Sequence, residues 1–261
     1  MDMVSGNEDR RWLSRRSILA VAPLAGLLLT SCGMTRRGFD YRYRLTLSID
    51  ANGASHTGSS VVHVHEWNEQ TIDAGWMMQS IVNGEATAVA LGDGRVVAAV
   101  LGSGTGSPLS EWTPTNLLLQ AYGIQRPAFA DQDSSDAAID ALADARGPRE
   151  LNAKQLPELI AFLRADDPNS AVILDPGDLS ATLGPGVRLR SAQIEVTDSP
   201  VTTSIERLLP WFDARQRAQA KVLPGDRPPG PDWAIDARQP DGRSVAVYRH
   251  QLKSGGWRAL C

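Results

Sequence analysis

Apolar and polar residues alternate along the chain after residue 40. Apolar side chains occupy every second position from Tyr41 to Ile49, and charged or hydroxyl side chains fill the positions between them. A period of two predicts a β-strand with one buried face and one solvated face. The turn-rich residues 51–55, which include Asn52-Gly53, lead to a second β-rich run at residues 58–65. The pair therefore predicts a hairpin.

Two more β-rich runs follow, at residues 85–91 and 95–101, separated by Gly92-Asp93-Gly94. Glycine on both sides of an aspartate is typical of a tight turn, so these runs predict a second hairpin. Taken together, the four runs predict a four-stranded antiparallel sheet.

Helical spacing replaces the alternation after Pro108. The apolar spacing of residues 114–122 and 134–146 predicts two helices, ended by Gly123 and by Gly147-Pro148. The stretch 156–174 has two apolar runs around an Asp-Asp-Pro-Asn turn and fits either a hairpin or a helix that closes near residue 164.

The last third of the chain mixes short helices and strands. Asp175-Pro176 predicts a short capped helix to residue 183, and residues 203–206 have the capping-box spacing of a helix that runs towards Trp211. We expect a strand at 187–196, with a change of register near Ser191.

A closing hairpin is predicted where residues 233–235 and 243–248 flank the turn signal Asp241-Gly242. Strands interrupted by helices, without regular alternation of the two, predict an α+β fold. We expect an antiparallel sheet of short strands and hairpins with a few helices packed on it.

The N-terminus has the organisation of an export signal. Basic residues at 10, 11, 15 and 16 precede the apolar run 18–29 and then Leu29-Thr30-Ser31-Cys32. Twelve helical residues at about 1.5 Å each span about 18 Å, well short of a roughly 30 Å hydrocarbon core, which disfavours a membrane span. The last four residues resemble the lipobox of bacterial lipoproteins. That resemblance implies cleavage before Cys32 and lipid on its thiol. By analogy with lipoprotein sorting, the residue after the cysteine is Gly33 and not Asp, which favours transfer of the protein to the outer membrane.

The export route has two interpretations. Arg15 and Arg16, between Ser14 and Ser17, resemble a twin-arginine signal, although Ile18 and Ala20 depart from its usual residues. An ordinary secretion signal fits equally well. Under either route we expect a signal at residues 1–31, a lipid-anchored tether at 32–39, and one domain at 40–261 with a proline-rich linker at 221–231.

Charge and cysteine content exclude several classes of function. After residue 31 the chain keeps 22 basic and 27 acidic residues, which argues against binding to nucleic acid or attraction to anionic membranes as its main role. Two cysteines, Cys32 and Cys261, are too few for a cysteine-rich metal site, and lipid on Cys32 would exclude an intrachain disulfide. We expect no cofactor.

Chemistry-bearing residues are sparse. His63 and His65 lie two apart, on one face of a predicted strand, and could bind a metal with His56, His250 or Glu66 as a third ligand. Alternating polar residues on a solvated strand face give the same spacing without any metal. The nucleophile and zinc motifs of common hydrolases do not occur in the sequence.

An interaction surface is the other candidate site. Trp67 and Trp76 flank an irregular stretch that runs into Met77 and Met78, and adaptable methionine beside tryptophan is typical of contact surfaces. Burial in the core is the ordinary alternative for such residues.

Several blocks of the mature chain resemble an uncharacterised family of proteobacterial envelope proteins. The blocks that carry the resemblance include residues 41–47, 58–62, 175–187 and 205–211. The resemblance as a whole extends, in scattered blocks, over about half of the mature residues. No activity is attached to that family, so the resemblance carries no catalytic residue over to this chain. We therefore expect a lipoprotein on the periplasmic side of the cell envelope, with a non-enzymatic domain that binds a protein or a cell-wall component. The alternative is a periplasmic metal-dependent hydrolase that uses the His63/His65 face.

Overall fold

The structure is a computed structural model that describes residues 38–71, 75–101, 114–125, 132–213 and 234–260. Residues Arg36–Cys261 form one compact unit, separate from Met1–Thr35. The predicted signal, the lipobox, the tether up to residue 37 and the linker 221–231 lie outside the described residues.

Six strands of the described part form an antiparallel sheet, which we call sheet A. Its order is β12-β3-β2-β1-β9-β6. The strands are β1 Gly38–Ala51, β2 Ala54–Thr71, β3 Gly75–Glu85, β6 Arg149–Glu150, β9 Arg188–Val196 and β12 Lys253–Leu260.

Six more strands form sheet B, in the order β11-β10-β8-β7-β5-β4. Its neighbouring strands are antiparallel except for the parallel pair β10 and β8. The strands are β4 Thr87–Ala90, β5 Val96–Ala99, β7 Leu159–Phe162, β8 Ala171–Leu174, β10 Ala234–Arg238 and β11 Ser244–Tyr248.

Helices and two 3-10 turns, Pro168–Ser170 and Ile205–Arg207, join these strands, and residues 211–213 are also helical. The helices are α1 Pro114–Tyr122, α2 Gln132–Ala143, α3 Ser180–Leu183 and α4 Arg249–Leu252. Helix α1 has the bounds that the sequence predicts, because proline suits the first helical turn and Gly123 adopts the left-handed conformation (φ 69°) that ends a helix.

The main core lies between the two sheets. The alternating apolar residues of β1 are buried there with one face of β5 and β7 and with α1 and α2. The other face of β5 and β7 is buried under a second cluster that includes Ile205, Leu209 and Phe212. Sheet B is therefore covered on both faces, whereas sheet A turns a polar face outward.

Most predicted elements are present, but the single four-stranded sheet is wrong. The hairpins β1–β2 and β4–β5 both form, yet they belong to different sheets. Ala86 alone separates β3 from β4, so the chain turns there from sheet A into sheet B. The stretch predicted as irregular between Trp67 and Trp76 consists largely of the ends of β2 and β3, which pair with each other.

Residues 156–174 form the hairpin alternative, as β7 and β8. The helix predicted from residue 203 is instead a 3-10 turn, and its N-cap Ser204 makes no side-chain cap. The predicted register change near Ser191 is confirmed by an irregularity in the pairing of β1 with β9. The described fold is sheet-rich, with more strand than helix.

Candidate functional site

A cluster of two histidines and an aspartate lies on the outer face of sheet A. His63 Nε2 is 2.9 Å from Asp40 Oδ1, and His65 Nδ1 is 3.0 Å from the same oxygen. All three side chains are partly exposed, at 30% for His63, 38% for His65 and 61% for Asp40. The pairing of β1 with β2 produces this arrangement, since Asp40 is opposite His65 and Arg42 is opposite His63.

Asp40 was not singled out in the sequence, although a signal for it exists. The two-residue turn Asn52-Gly53 has positive φ angles, 54° and 77°, as a tight hairpin turn requires. Such a turn fixes the register of the whole hairpin, because the residues on either side of it must pair. Counting back from Ala51 opposite Ala54 places Asp40 opposite His65.

The electrostatics of the cluster favour an ionised carboxylate. Burial alone would raise the pKa of the Asp40 carboxyl, but hydrogen bonds and charge from His65 and His63 together outweigh burial and lower that pKa below its ordinary value. Arg42, the next outward residue of β1, donates instead to the backbone oxygen of Asp198 at 3.1 Å.

The predicted third metal ligands lie elsewhere. Glu66 points into the core, His56 lies against Gly92, and His250 stacks on Tyr248 with ring centroids 5.6 Å apart. Within the described residues, no group of three or more His, Cys, Asp and Glu side chains is arranged to hold a metal ion. The imidazoles of His63 and His65 converge instead on one carboxylate oxygen, which ties β2 to the start of β1.

The buried ring of Trp67 packs beside His65 of this cluster. Its ring lies 5.4 Å from the ring of His65, and only 9% of Trp67 is exposed. Gly38, opposite Trp67, leaves room for the imidazole, since a Cβ there would be 2.8 Å from His65 Cε1. Trp67 is thus packed into the sheet rather than offered as a free contact residue.

The other members of the predicted interaction surface lie on β3. Met78 is opposite Asn68, Met77 opposite Glu69 and Trp76 opposite Gln70. Their side chains lie outside what the structure describes, so their part in an interaction surface stays a prediction.

Two carboxylates are buried, Glu66, considered above only as a metal ligand, and Glu85, which the sequence did not single out. Glu66, 1% exposed, accepts a hydrogen bond from Thr115 Oγ1 at the first turn of α1, and Thr115 Oγ1 is 2.5 Å from the hydroxyl of Tyr41. Glu85, 2% exposed, accepts from the backbone amides of Ser204 and Ile205. Both positions fall in β-rich runs, and a glutamate there indicates a buried hydrogen-bonding role.

No helix in the described ranges is long and apolar enough to cross a membrane. Comparison of the chain with protein-family models, with characterised proteins and with solved structures found no match.

Proposed function

We propose that the chain is an exported lipoprotein of the cell envelope, held on the periplasmic side by lipid on Cys32, with the outer membrane favoured. Its folded part is a sheet-rich domain of the α+β class that binds a protein or a cell-wall partner without catalysing a reaction. One observation carries the proposal: Leu29-Thr30-Ser31-Cys32 directly follows a basic stretch and an apolar run of signal-peptide length.

The organisation of the chain supports this reading. Residues Arg36–Cys261 form a compact unit of their own, and that unit starts four residues after Cys32. A leader, a short tether and one folded domain are the parts that a lipid-anchored protein needs. The resemblance to an uncharacterised envelope family adds to the proposal.

Three acidic side chains of the described part have structural partners. Asp40 holds His63 and His65, Glu66 is bonded to α1, and Glu85 receives the amides of the 205–207 turn. Carboxylates engaged in this way stabilise the fold, which favours a binding role for the domain over a hydrolytic one. We propose the outer face of sheet A, where its described side chains are polar, as the surface for it.

The anchor is tested by intact-mass analysis of the protein purified from native membranes. We expect a chain that begins at Cys32 and carries the mass of a diacylglyceryl group, with or without a third acyl chain. Cys32→Ala should move the protein from the membrane to the soluble fraction, and the matched variant Cys261→Ala should leave it in the membrane. An unmodified N-terminus in the wild-type protein would refute the anchor.

The binding role is tested by cross-linking in intact cells, followed by purification of the wild-type protein and of Cys32→Ala. We expect a protein or wall fragment that is enriched with the wild type and depleted with Cys32→Ala. Stoichiometric zinc or another divalent metal in the purified protein, lost on His63→Ala but kept on His250→Ala, would contradict the proposal and favour the hydrolase alternative.

A further inference from the structure

Strand β2 loses one of its two neighbours partway along its length. On one side it pairs with β1 from Ala54 to Trp67. On the other side it pairs with β3, and that pairing ends at His63 opposite Asn83, because the chain then turns from sheet A into sheet B. With respect to the described strands, residues 54–62 of β2 therefore lie at an edge of sheet A.

The chain itself uses the first position of this edge. The Thr202 amide donates to the carbonyl oxygen of Val61 at 3.1 Å, and the Val61 amide donates to Thr202 Oγ1 at 2.9 Å. The backbone groups of alternate residues in a strand face the same neighbour, so the amides and carbonyls of Ser55, Thr57 and Ser59 face this side too. Within the described ranges, no backbone group bonds to them there.

The same three residues are accessible. Ser55, Thr57 and Ser59 are exposed, whereas the residues between them are half-buried. Residues 55–59 contain no acid, lysine, arginine or proline. Charged residues and proline are what proteins place on edge strands to prevent pairing with another chain. This stretch, which we call the β2 edge, therefore lacks the usual obstacles to a further strand.

The β2 edge is complementary to itself. When two copies pair antiparallel about a two-fold axis at Thr57, Thr57 faces its own copy and Ser55 faces Ser59 of the second copy. Facing hydroxyl side chains form favourable cross-strand pairs. On the side towards sheet B, the imidazole of His56 is opposite Gly58 of the second copy, which has no side chain to obstruct it. This match of small to large and of hydroxyl to hydroxyl favours a second copy of the chain as the occupant.

The length of the β2 edge also fits this pairing. In the two-fold register, Gly53 of the second copy reaches the level of Val61, where Thr202 already occupies the edge. Gly53 belongs to the tight turn that leads back to β1, so the strand of the second copy ends where the free edge ends. The five residues 55–59 span about 16 Å at about 3.3 Å per residue, and they provide about six backbone hydrogen bonds between the copies.

We propose that the protein forms a two-fold dimer in which the β2 edges of two copies pair antiparallel, with Thr57 on the axis, and join the two A sheets into one. A contact of this size is weak in dilute solution. The pairing does not require the lipid on Cys32, but confinement of the chain to a membrane raises its local concentration and so favours the dimer.

Disulfide cross-linking of the protein in native membranes tests both the dimer and its register. Facing residues that exchange hydrogen bonds in antiparallel strands have Cα atoms about 5.5 Å apart, within the range that a disulfide spans. In a Cys261→Ser background, we expect Thr57→Cys to form a covalent dimer under mild oxidation.

Ser55→Cys and Ser59→Cys are the matched controls. Each of these residues lies about 13 Å along the strand from the same residue of the second copy, so each variant alone should stay monomeric. Cells that produce both variants should contain the mixed dimer, because Ser55 faces Ser59 across the axis. Circular dichroism checks that every variant is folded, and if Thr57→Cys does not fold, the mixed pair decides.

Three results would overturn the proposal. Folded Thr57→Cys and the mixed pair could both stay monomeric, which would exclude the dimer. Equal cross-linking of all three single variants would indicate random collision rather than a fixed register. A disulfide from position 57 to a different protein, in place of the dimer, would identify a strand of that protein as the occupant of the β2 edge.

The Cys261→Ser background without a further cysteine separates this proposal from the lipid anchor. A covalent dimer of that background would show that Cys32 has a free thiol, which refutes the anchor. The three variants are then compared with Cys32→Ser added, and their cross-linking decides the pairing of the β2 edges by itself.

Discussion

The carboxylate of Glu85 lies at the corner where the chain leaves sheet A and enters sheet B. It receives the Ser204 amide, at 2.6 Å and 2.8 Å to its two oxygens, the Ser204 hydroxyl at 3.0 Å and the Ile205 amide at 2.9 Å. These donors start the 205–207 turn, whose Ile205 covers the outer face of sheet B. A carboxylate buried in this way replaces water as the acceptor for the free amides of a helical turn.

Glu85→Ala should therefore destabilise the protein strongly. It leaves the amides of Ser204 and Ile205 buried without their acceptor, at a cost of about 3 kcal/mol or more in the free energy of unfolding. Glu85→Gln keeps one acceptor oxygen and should cost less. Urea unfolding followed by tryptophan fluorescence measures both, with the exposed Glu150→Gln as control. A loss for Glu85→Ala no larger than for Glu150→Gln would contradict this role.

Asp93 makes the stability depend on pH through the β4–β5 turn. The side-chain hydrogen bond from Arg95, assisted by a bond from Asn52, holds the pKa of the Asp93 carboxyl well below its ordinary value. A carboxyl whose pKa is lower in the folded than in the unfolded state stabilises the fold above its unfolded pKa, near 3.8, and that contribution is lost as the pH falls through the lowered folded pKa.

We expect Asp93→Asn to be less stable than the wild type at pH 6, with a difference that shrinks as the pH is lowered below about 4. Thermal unfolding of both proteins between pH 6 and pH 2 measures it. A difference that stays constant over this range would mean that Asp93 acts through packing of the turn and not through its charge.

Strands β2 and β4 approach each other closely at Gly58. A Cβ on this residue would be 2.0 Å from the carbonyl oxygen of Ala88 and 3.1 Å from Val89 Cγ2. The obstacle is backbone, which cannot rotate away as a side chain can. Glycine therefore lets sheet B pack directly on β2.

Gly58→Ala should separate these strands and lower the free energy of unfolding by about 1–3 kcal/mol. Gly177→Ala is the matched control, because its nearest obstacle is the flexible carboxylate of Asp175 at 3.2 Å. Chemical denaturation compares the two variants. Equal stability would mean that β2 and β4 can shift apart without loss of packing.

Elements that depend on local chemistry were predictable from the sequence. The tight turns at Asn52-Gly53, Gly92-Asp93-Gly94 and Asp241-Gly242 each join a predicted hairpin that the structure contains. The turn at Asn52-Gly53 also fixes the register that places Asp40 opposite His65. Turn residues carry this information because only a few side chains tolerate the backbone angles of a tight turn.

Elements that depend on distant partners were not predictable. β3 lacks a clean alternation and owes its pairing to β2 and β12, and β6 is two residues long. The capping box expected at residue 203 fails because Glu85, 119 residues away from Ser204, supplies the acceptor. Which sheet a hairpin joins depends on how the apolar faces of the whole domain pack together, and a local sequence pattern does not indicate it.

Across the whole molecule the two sheets differ in how deeply their strands are buried. β5 and β7 lie side by side inside sheet B, and each of their residues is buried. In contrast, β1 in sheet A buries only alternate residues.

Hydrogen exchange should follow this difference. We expect the amides of β5 and β7 to exchange only through global unfolding, since no smaller opening exposes a strand covered on both faces. The amides of β6, a two-residue exposed strand at the edge of sheet A, should exchange orders of magnitude faster. Mass spectrometry of the exchanged peptides measures both. Protection of the β5 and β7 amides no higher than that of the β1 amides would show that burial on both faces of sheet B adds no local stability to its strands.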